Sequence, residues 1–413
     1  MENYSIVIFI MVIMIALTAI ADKIKLPYPI LLITAGIAIG FIPTMPVIEL
    51  SPEVVFLLFL PPLLYDAAFN ISFQDFKTHG NTIGTLSIGL VFLTTTGIAV
   101  TAHSLIPDMN WPGAFVLGAI LSATDAVAAI GITKGLGLSH KSTTILEGES
   151  LVNDASALVA YRFAVAAVTG ASFVFWKASL EFLFLMGGGF LIGMLMGKLL
   201  TSLLQLVHRD RMVTISFIIV IPFVTYLIAE EFGVSGVIAV VVLGLGMSRI
   251  SRNVFPENLK EQSRTIWDII VFLLNGLIFI LIGLEFPYVL KNIDKTQVLP
   301  YIGYALIITI VALGLRLARV FLQKINLQRA FQSQKRKISE EALLDFSNSL
   351  IISWAGMRGI VSLALAIGLP TTLSDGAPFP FRNEIIFISV VVVLFTLLGQ
   401  GLTLPWIVKK LKK

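Results

Sequence analysis

Residues 122–162 read SATDAVAAIGITKGLGLSHKSTTILEGESLVNDASALVAYR. Two apolar segments meet across a short basic loop holding Lys134 and Lys141, and both carry carboxylates: Asp125 in the first, Glu149 and Asp154 in the second. Both segments are long enough to cross a bilayer. Ionisable groups at that depth are costly and by default mark an ion or proton pathway. The expectation is that Asp154 binds a small cation or a proton, never both together.

Outward from this stretch the chain keeps the same character. It has 413 residues, 57% hydrophobic and 13% charged, where a soluble chain carries about 25% charged. It reads as an all-α polytopic membrane protein. Apolar runs of spanning length fall at roughly 4–21, 28–44, 52–69, 82–105, 113–133, 142–169, 178–206, 212–230, 233–248, 266–286, 299–322, 347–369 and 384–408, which makes about thirteen transmembrane helices. The first 20 residues have no basic leader or small-residue cleavage site and read as a retained helix. With no cysteine, no disulfide framework is available.

Charge sets the expected orientation. Twenty Lys and Arg fall in one set of loops, and only Lys177, Lys291, Lys295 and Arg382 in the other. This positive-inside asymmetry predicts an outside N-terminus and a cytoplasmic C-terminus in a multi-pass cell membrane protein. The net charge of +4 is therefore topological and does not indicate nucleic-acid binding. The longest loop, about 323–346, is basic and is expected to form a cytoplasmic surface helix linking two bundles. No soluble regulatory domain is expected after the last helix. Gly36 and Gly40, and Gly189, Gly193 and Gly197, follow small-xxx-small spacing, which predicts close helix packing inside one protomer.

Asp125 follows Ser122, Ala123 and Thr124 near mid-span. Two readings stand here: a broken helix whose freed carbonyls replace a cation's hydration shell, or an intact helix whose Asp pairs with a basic partner. In the sixth span, helical spacing puts Glu149 and Asn153 on one face and Ser150 and Asp154 on a face beside it. Oxygen ligands converging within a turn and a half suit a hard cation. A carboxylate stripped of water and left without a counter-charge takes up a proton instead. Arg358, bracketed by Gly356 and Gly359 in the twelfth span, is always charged and needs a permanent partner. Glu149 and Asp154 compete for it. The expectation is a fixed Glu149–Arg358 pair, which leaves Asp154 free to exchange its ligand. A weakened polar helix in each half, the fifth and the twelfth, is the pattern of an inverted-repeat transporter, with helices four to six and eleven to thirteen as the related units.

Four ordered motifs carry a resemblance. Residues 60–67 read LPPLLYDA, and SATDAVA, LEGESLVNDA and SWAGMRGIVSLALA follow in that order. Together they resemble the cation/proton antiporter superfamily, in the branch of the animal sodium/proton exchangers and the electroneutral bacterial and archaeal antiporters. The resemblance implies exchange of a monovalent cation, Na⁺ first and Li⁺ or K⁺ next, for H⁺ by alternating access. It implies a core (about 82–169 and 299–408) moving against a dimerisation scaffold (about 1–69 and 178–286) in a homodimer, with unwound helices crossing. It assigns the ion-and-proton carboxylate to Asp154 and its amide neighbour to Asn153. Thr124 (backbone) and Ser150 (side chain) become ligands of the transported cation, Asp125 a support for the crossing, and Glu149–Arg358 a stabilising pair. An amide at Asn153 cannot release a proton, which implies electroneutral 1:1 exchange; helix packing is the other reading of that residue. Many relatives carry Pro where Ala126 stands, which puts the degree of unwinding in question. No cofactor is expected beyond the transported ions.

Other classes fare worse. Gly233-Val234-Ser235-Gly236 resembles a serine-protease motif, but no histidine follows Ser235 to act as its base, so an enzyme is not expected. A passive channel needs a continuous wet pore, whereas a single asymmetric carboxylate set with interrupted helices favours alternating access. A potassium-selective antiporter is the nearer alternative. Asp66 is expected to cap or pair near its helix end and Glu147 to face a funnel. Arg316 and Arg319 are expected near helix ends, where long side chains reach back to water, and Arg162 has no partner that the sequence identifies.

Overall fold

In lipid every backbone N–H and C=O must be satisfied within the chain, and helices achieve this segment by segment. The computed structural model describes residues 2–24, 28–42, 52–133, 136–170, 175–207, 211–333, 339–373 and 376–411. Of the basic residues counted above, Lys25, Lys134, Arg209 and those at 335–337 and 412–413 lie outside the described residues, as does His208.

Helices fill the described chain: α1 Glu2–Ile24, α2 Tyr28–Gly40, α3 Pro52–Asn70, α4 Phe73–Gly84, α5 Val91–Leu105, α6 Trp111–Ile120, α7 Ala126–Ile132, α8 His140–Val168, α9 Phe175–Val207, α10 Arg211–Glu231, α11 Gly236–Val254, α12 Glu257–Lys291, α13 Lys295–Gln332, α14 Phe346–Trp354, α15 Ile360–Ile367, α16 Arg382–Phe395 and α17 Gly401–Leu411. A π-helical turn joins α4 to α5 and another joins α16 to α17. Among the described residues, seven helical stretches are long and apolar enough to cross a membrane. Shorter apolar helices occupy other predicted runs. Large apolar side chains such as Leu183, Leu195 and Ile310 point outward, as lipid-facing residues do. The protein is a multi-pass, all-helical membrane protein.

Local chemistry starts several of these helices. Asn110 accepts from the Gly113 N–H (2.9 Å) and Ser139 from the Ser142 N–H (3.1 Å), each satisfying an orphan donor of a first turn. The expected surface helix in the basic loop is not separate: α13 runs unbroken through 323 to Gln332. Good helix formers continue the span there without a breaking residue.

Two groups of helices emerge. In one, α2 lies along α12, α9 and α3 lie along α11, and α10 packs on all three of α9, α11 and α3. In the other, α5 packs on α6, α6 on α8, α13 on α5 and α16, and α15 on α16. The two groups meet where α3 touches α8 and α15, and where α12 touches α15 and α16.

The small-residue spacings serve these internal contacts. A side chain on Gly36 or Gly283 would run into the backbone of the facing helix, with the Gly36 Cα 2.7 Å from a Cβ placed on Gly283. Gly189 meets the Ser235 carbonyl the same way at 2.6 Å, and Gly193 meets α11 at Val242. Only backbone and glycine allow that approach. Gly283→Val is expected to lower stability by about 1–3 kcal/mol through overpacking, read as a lower melting temperature in detergent. An unchanged melting temperature would show that α2 and α12 have room to separate.

Candidate cation and proton site

Both weakened helices are interrupted. α6 ends at Ile120 and α7 starts at Ala126; α14 ends at Trp354 and α15 starts at Ile360. The two extended segments cross, and the Asp125 N–H donates to the Met357 carbonyl (2.8 Å). Ser362 Oγ donates to the Ala123 carbonyl at 3.4 Å. Of the two readings of Asp125, the broken helix is the one the fold adopts.

Breaking two helices in lipid exposes carbonyls at two C-termini and N–H groups at two N-termini. Asp125 serves an N-terminus: its side chain accepts from the Ala128 N–H (3.1 Å) and caps α7. This capping carboxylate starts α7 with Ala at its first position, so a Pro there is not needed to unwind the chain. Ala126 also keeps an N–H, which donates to Ser150 Oγ at 3.4 Å.

Arg358 serves the C-termini, and here the structure corrects the expected pairing. Its Nε donates to the Leu121 carbonyl (2.7 Å) and its Nη1 to the Gly356 carbonyl (2.9 Å), while its own N–H donates to Thr396 Oγ1 (3.1 Å). Its positive charge thus rests on the negative ends of α6 and α14, not on Glu149. The partner of Glu149 is Arg316. The two guanidinium Nη groups grip both carboxylate oxygens, Nη1 on Oε1 and Nη2 on Oε2, the second at 2.8 Å. Both side chains are fully buried. Arg316 lies mid-way along α13 and also donates to the Ile352 carbonyl through Nε (3.1 Å) and Nη2 (2.9 Å). The short span expected for this helix put Arg316 near an end; the longer α13 puts it at the centre.

The bracketing glycines have a packing reason. A side chain on Gly356 would overlap the Arg316 guanidinium, and one on Gly359 would overlap the Asp125 carboxylate.

α8 therefore presents two chemistries. Its inner face carries Glu149 and Asn153. Asn153 Nδ2 donates to Thr124 Oγ1 (2.6 Å), which donates to Glu149 Oε1 (3.2 Å). The face beside it carries Glu147, Ser150 and Asp154, which line a cavity of about 590 Å³ with Thr124 and Asp125. Ser150 Oγ donates to the Thr124 carbonyl (3.0 Å). Among the described residues Asp154 takes no hydrogen bond or ion pair from the protein. The assigned set thus divides: Asp154, Ser150, Thr124 and Asp125 share the cavity wall, whereas Asn153 sits behind Thr124 and is not on that wall.

The cavity lies at the junction of the two helix groups, with α3 and α12 forming the facing wall. It runs from the crossing to the bundle end that holds Asn70 and Leu138. Asp66, Glu147 and Asp268 join Asp125 and Asp154 as five carboxylates on its walls, with no Lys, Arg or His among the described lining residues. Asp66 takes a hydrogen bond from Asn70 Nδ2 (3.0 Å) and faces the cavity as well. Anionic walls of this kind concentrate cations. Beyond Asp154, no residue of α8 lines the cavity and side-chain contacts take over. Phe56 of α3 packs edge-on against Tyr161 of α8 (6.4 Å), and Tyr161 Oη donates to the Gly368 carbonyl (3.0 Å). The adjacent Arg162 binds both oxygens of Glu230 on α10 at 2.9 Å. That is the partner the sequence left open.

The sodium/hydrogen exchanger transmembrane family matches residues 8–410 of this chain. The chain belongs to that family. Among curated relatives, a sodium, potassium, lithium and rubidium/H⁺ antiporter of Bacillus pumilus is 36% identical over 399 residues. That alignment takes in 94% of this chain and 58% of the relative, so the chain spans a little over half of that protein's length. The Na⁺/H⁺ antiporter NhaH of Halobacillus aidingensis is 32% identical, with 98% of this chain and 97% of the relative covered. The solved structure of the sodium proton antiporter MjNhaP1 from Methanocaldococcus jannaschii at pH 8 shares the fold, with a TM-score of 0.77, 20% identity and 100% and 99% coverage. In this exchanger-family chain, the residues that sequence reasoning missed are Arg316 as the guanidinium on Glu149, Asp268 at the cavity mouth and Asn275 deeper on α12. A charge at the centre of a long apolar run was the available signal for Arg316.

Proposed function

We propose that this protein exchanges a monovalent cation for a proton, one for one and without net charge movement, with Asp154 carrying either. The observation that supports this most directly is the division between its two acids. Glu149 is neutralised by Arg316, while Asp154 faces a cation-attracting cavity without a protein partner. A desolvated carboxylate in that position needs a cation or a proton. Asn153 cannot ionise, so one charge is traded for one. Thr124 O and Ser150 Oγ supply neutral oxygens beside Asp154.

Alternating access would come from the two helix groups, the core carrying the crossing and the scaffold carrying α3 and α12. The cavity lining stops at Asp154 on α8 and Leu60 on α3, which favours this over a passive channel. The loops at the cavity's open end are the basic ones, so positive-inside bias assigns that end to the cytoplasm. The N-terminus is then outside after thirteen crossings of the cell membrane. A homodimer formed through the scaffold, and the absence of a cofactor or nucleic-acid partner, belong to the same reading. Sodium is the first cation; the Bacillus pumilus relative's name supports potassium as the second.

Purified protein in liposomes loaded with a pH-sensitive dye tests this. Added Na⁺ should move protons, a protonophore should not abolish the exchange, and clamped voltage should leave its rate unchanged. Because proton and cation compete, the cation KM should fall as pH rises. The maximal rate should then decline at alkaline pH, where protons for the return are scarce. Voltage-dependent steady-state exchange, or a KM indifferent to pH, would overturn the one-carboxylate scheme.

A further inference from the structure

The facing wall of the cavity is apolar at the depth of the crossing. α3 contributes Leu60, Leu63 and Leu64 there, and its polar Asp66 and Asn70 lie toward the mouth. On α12, Asp268, Val271 and Asn275 follow at helical spacing along one face, with Asp268 nearer the mouth and Asn275 two turns deeper. Asn275 is 2% exposed, yet its Oδ1 accepts no hydrogen bond within the described residues. Buried amide oxygens are almost always paired, so one left open calls for a partner.

Tyr28 of α2 lies beside this amide. The Tyr28 ring in turn packs edge-on against Phe279, one turn along α12, with centroids 6.3 Å apart. Asn275 is thus a cavity-lining residue whose side-chain oxygen is buried and without a hydrogen-bond partner among the described residues. Asn275 lines the same cavity as Asp125 and Asp154.

We propose that the Asn275 side-chain oxygen is a ligand of the transported cation, supplied by the α2/α12 side while the cavity opens at this end. The inference rests on the cation-exchange reading above and names a further contact within it. Asp154, Thr124 O and Ser150 Oγ approach a cation from the α7/α8 side only. A hard monovalent cation that has shed water needs more oxygens, and a neutral amide supplies one without adding a second proton-binding charge. A contact held by the opposite helix group exists in one orientation of the cavity and is lost when the groups slide. Cation binding then favours that orientation through differential affinity, whereas a proton on Asp154 gains nothing from Asn275.

The test compares wild type, Asn275→Leu and Asn275→Asp in liposomes, with cation-induced thermal stabilisation of the detergent-purified proteins by Na⁺, Li⁺ and K⁺ as a second readout. Asn275→Leu should raise the cation KM about tenfold, the loss of one contact worth about 1.4 kcal/mol, and weaken cation-induced stabilisation. The acid limb of its pH profile should still reflect proton binding at Asp154. Asn275→Asp should lower the cation KM and slow turnover, because the cation leaves a charged ligand. A folded Asn275→Leu with wild-type KM overturns the inference. If Asn275→Leu does not fold, Asn275→Asp decides, and an unchanged or higher KM there overturns it. Failure of wild type itself to exchange cations for protons would instead sink the underlying reading.

Discussion

Asp154→Asn reduces proton-coupled cation flux to the leak of protein-free liposomes, while the purified variant keeps or raises its melting temperature. Both halves follow from one feature: Asp154 takes no hydrogen bond or ion pair from the described protein and faces the cavity. Its negative charge is what balances the cation and what accepts the proton, and an amide carries no charge and takes up no proton. The same charge is a burden on the fold, because a desolvated anion without a partner is costly. Removing it spares that cost, and the near-isosteric amide preserves packing. Flux through the dye assay and melting in detergent, with and without Na⁺, check the two halves separately. Cation-induced stabilisation should also vanish in the variant. Normal turnover in Asp154→Asn would remove the central residue from the scheme.

Arg316→Met is the second large effect, and it falls on stability. The substitution leaves Glu149 charged, buried and unpaired, and strips the Ile352 carbonyl of two donors. Breaking a buried pair from one side costs about 3–5 kcal/mol. The double variant Glu149→Gln/Arg316→Met should recover a large part of that loss, since the stranded charge is gone. Arg358→Met should behave differently. It uncovers the Leu121 and Gly356 carbonyls, at about 1–3 kcal/mol for each unsatisfied group, and Glu149→Gln should not rescue it. A double-mutant cycle on melting temperature separates the cases. Strong coupling of Glu149 to Arg358 and none to Arg316 would restore the pairing expected from sequence.

That contrast shows how far the chain could be read. Asp125, Glu149 and Asp154 stood out because acids in apolar runs are rare and expensive. The placement of Glu149 and Asp154 on α8 followed from helical period alone, which separates the Glu149/Asn153 face from the Ser150/Asp154 face. Period does not say what each face meets. The resemblance grouped Asn153 with the ion-binding residues, and its face turns toward Thr124 and the buried Arg316 pair. The glycines around Arg358 read as helix breakers. They also make room for Arg316 and Asp125, which approach from other helices and leave no trace in the local sequence.

The sequence by itself determined the membrane-spanning helical class and marked the two polar mid-span stretches and the acids that lie in apolar runs. Each is a local cost: apolar length, polar residues at mid-span, a charge without a neighbouring counter-charge. Which arginine neutralises Glu149, what satisfies the carbonyls freed at the crossing and which wall faces Asp154 were decided only by tertiary structure. A guanidinium has five donors and a long stem, so it is satisfied equally well by a carboxylate or by helix-end carbonyls. Only the packing of α13 on α14, and of α14 on α8, selects between them.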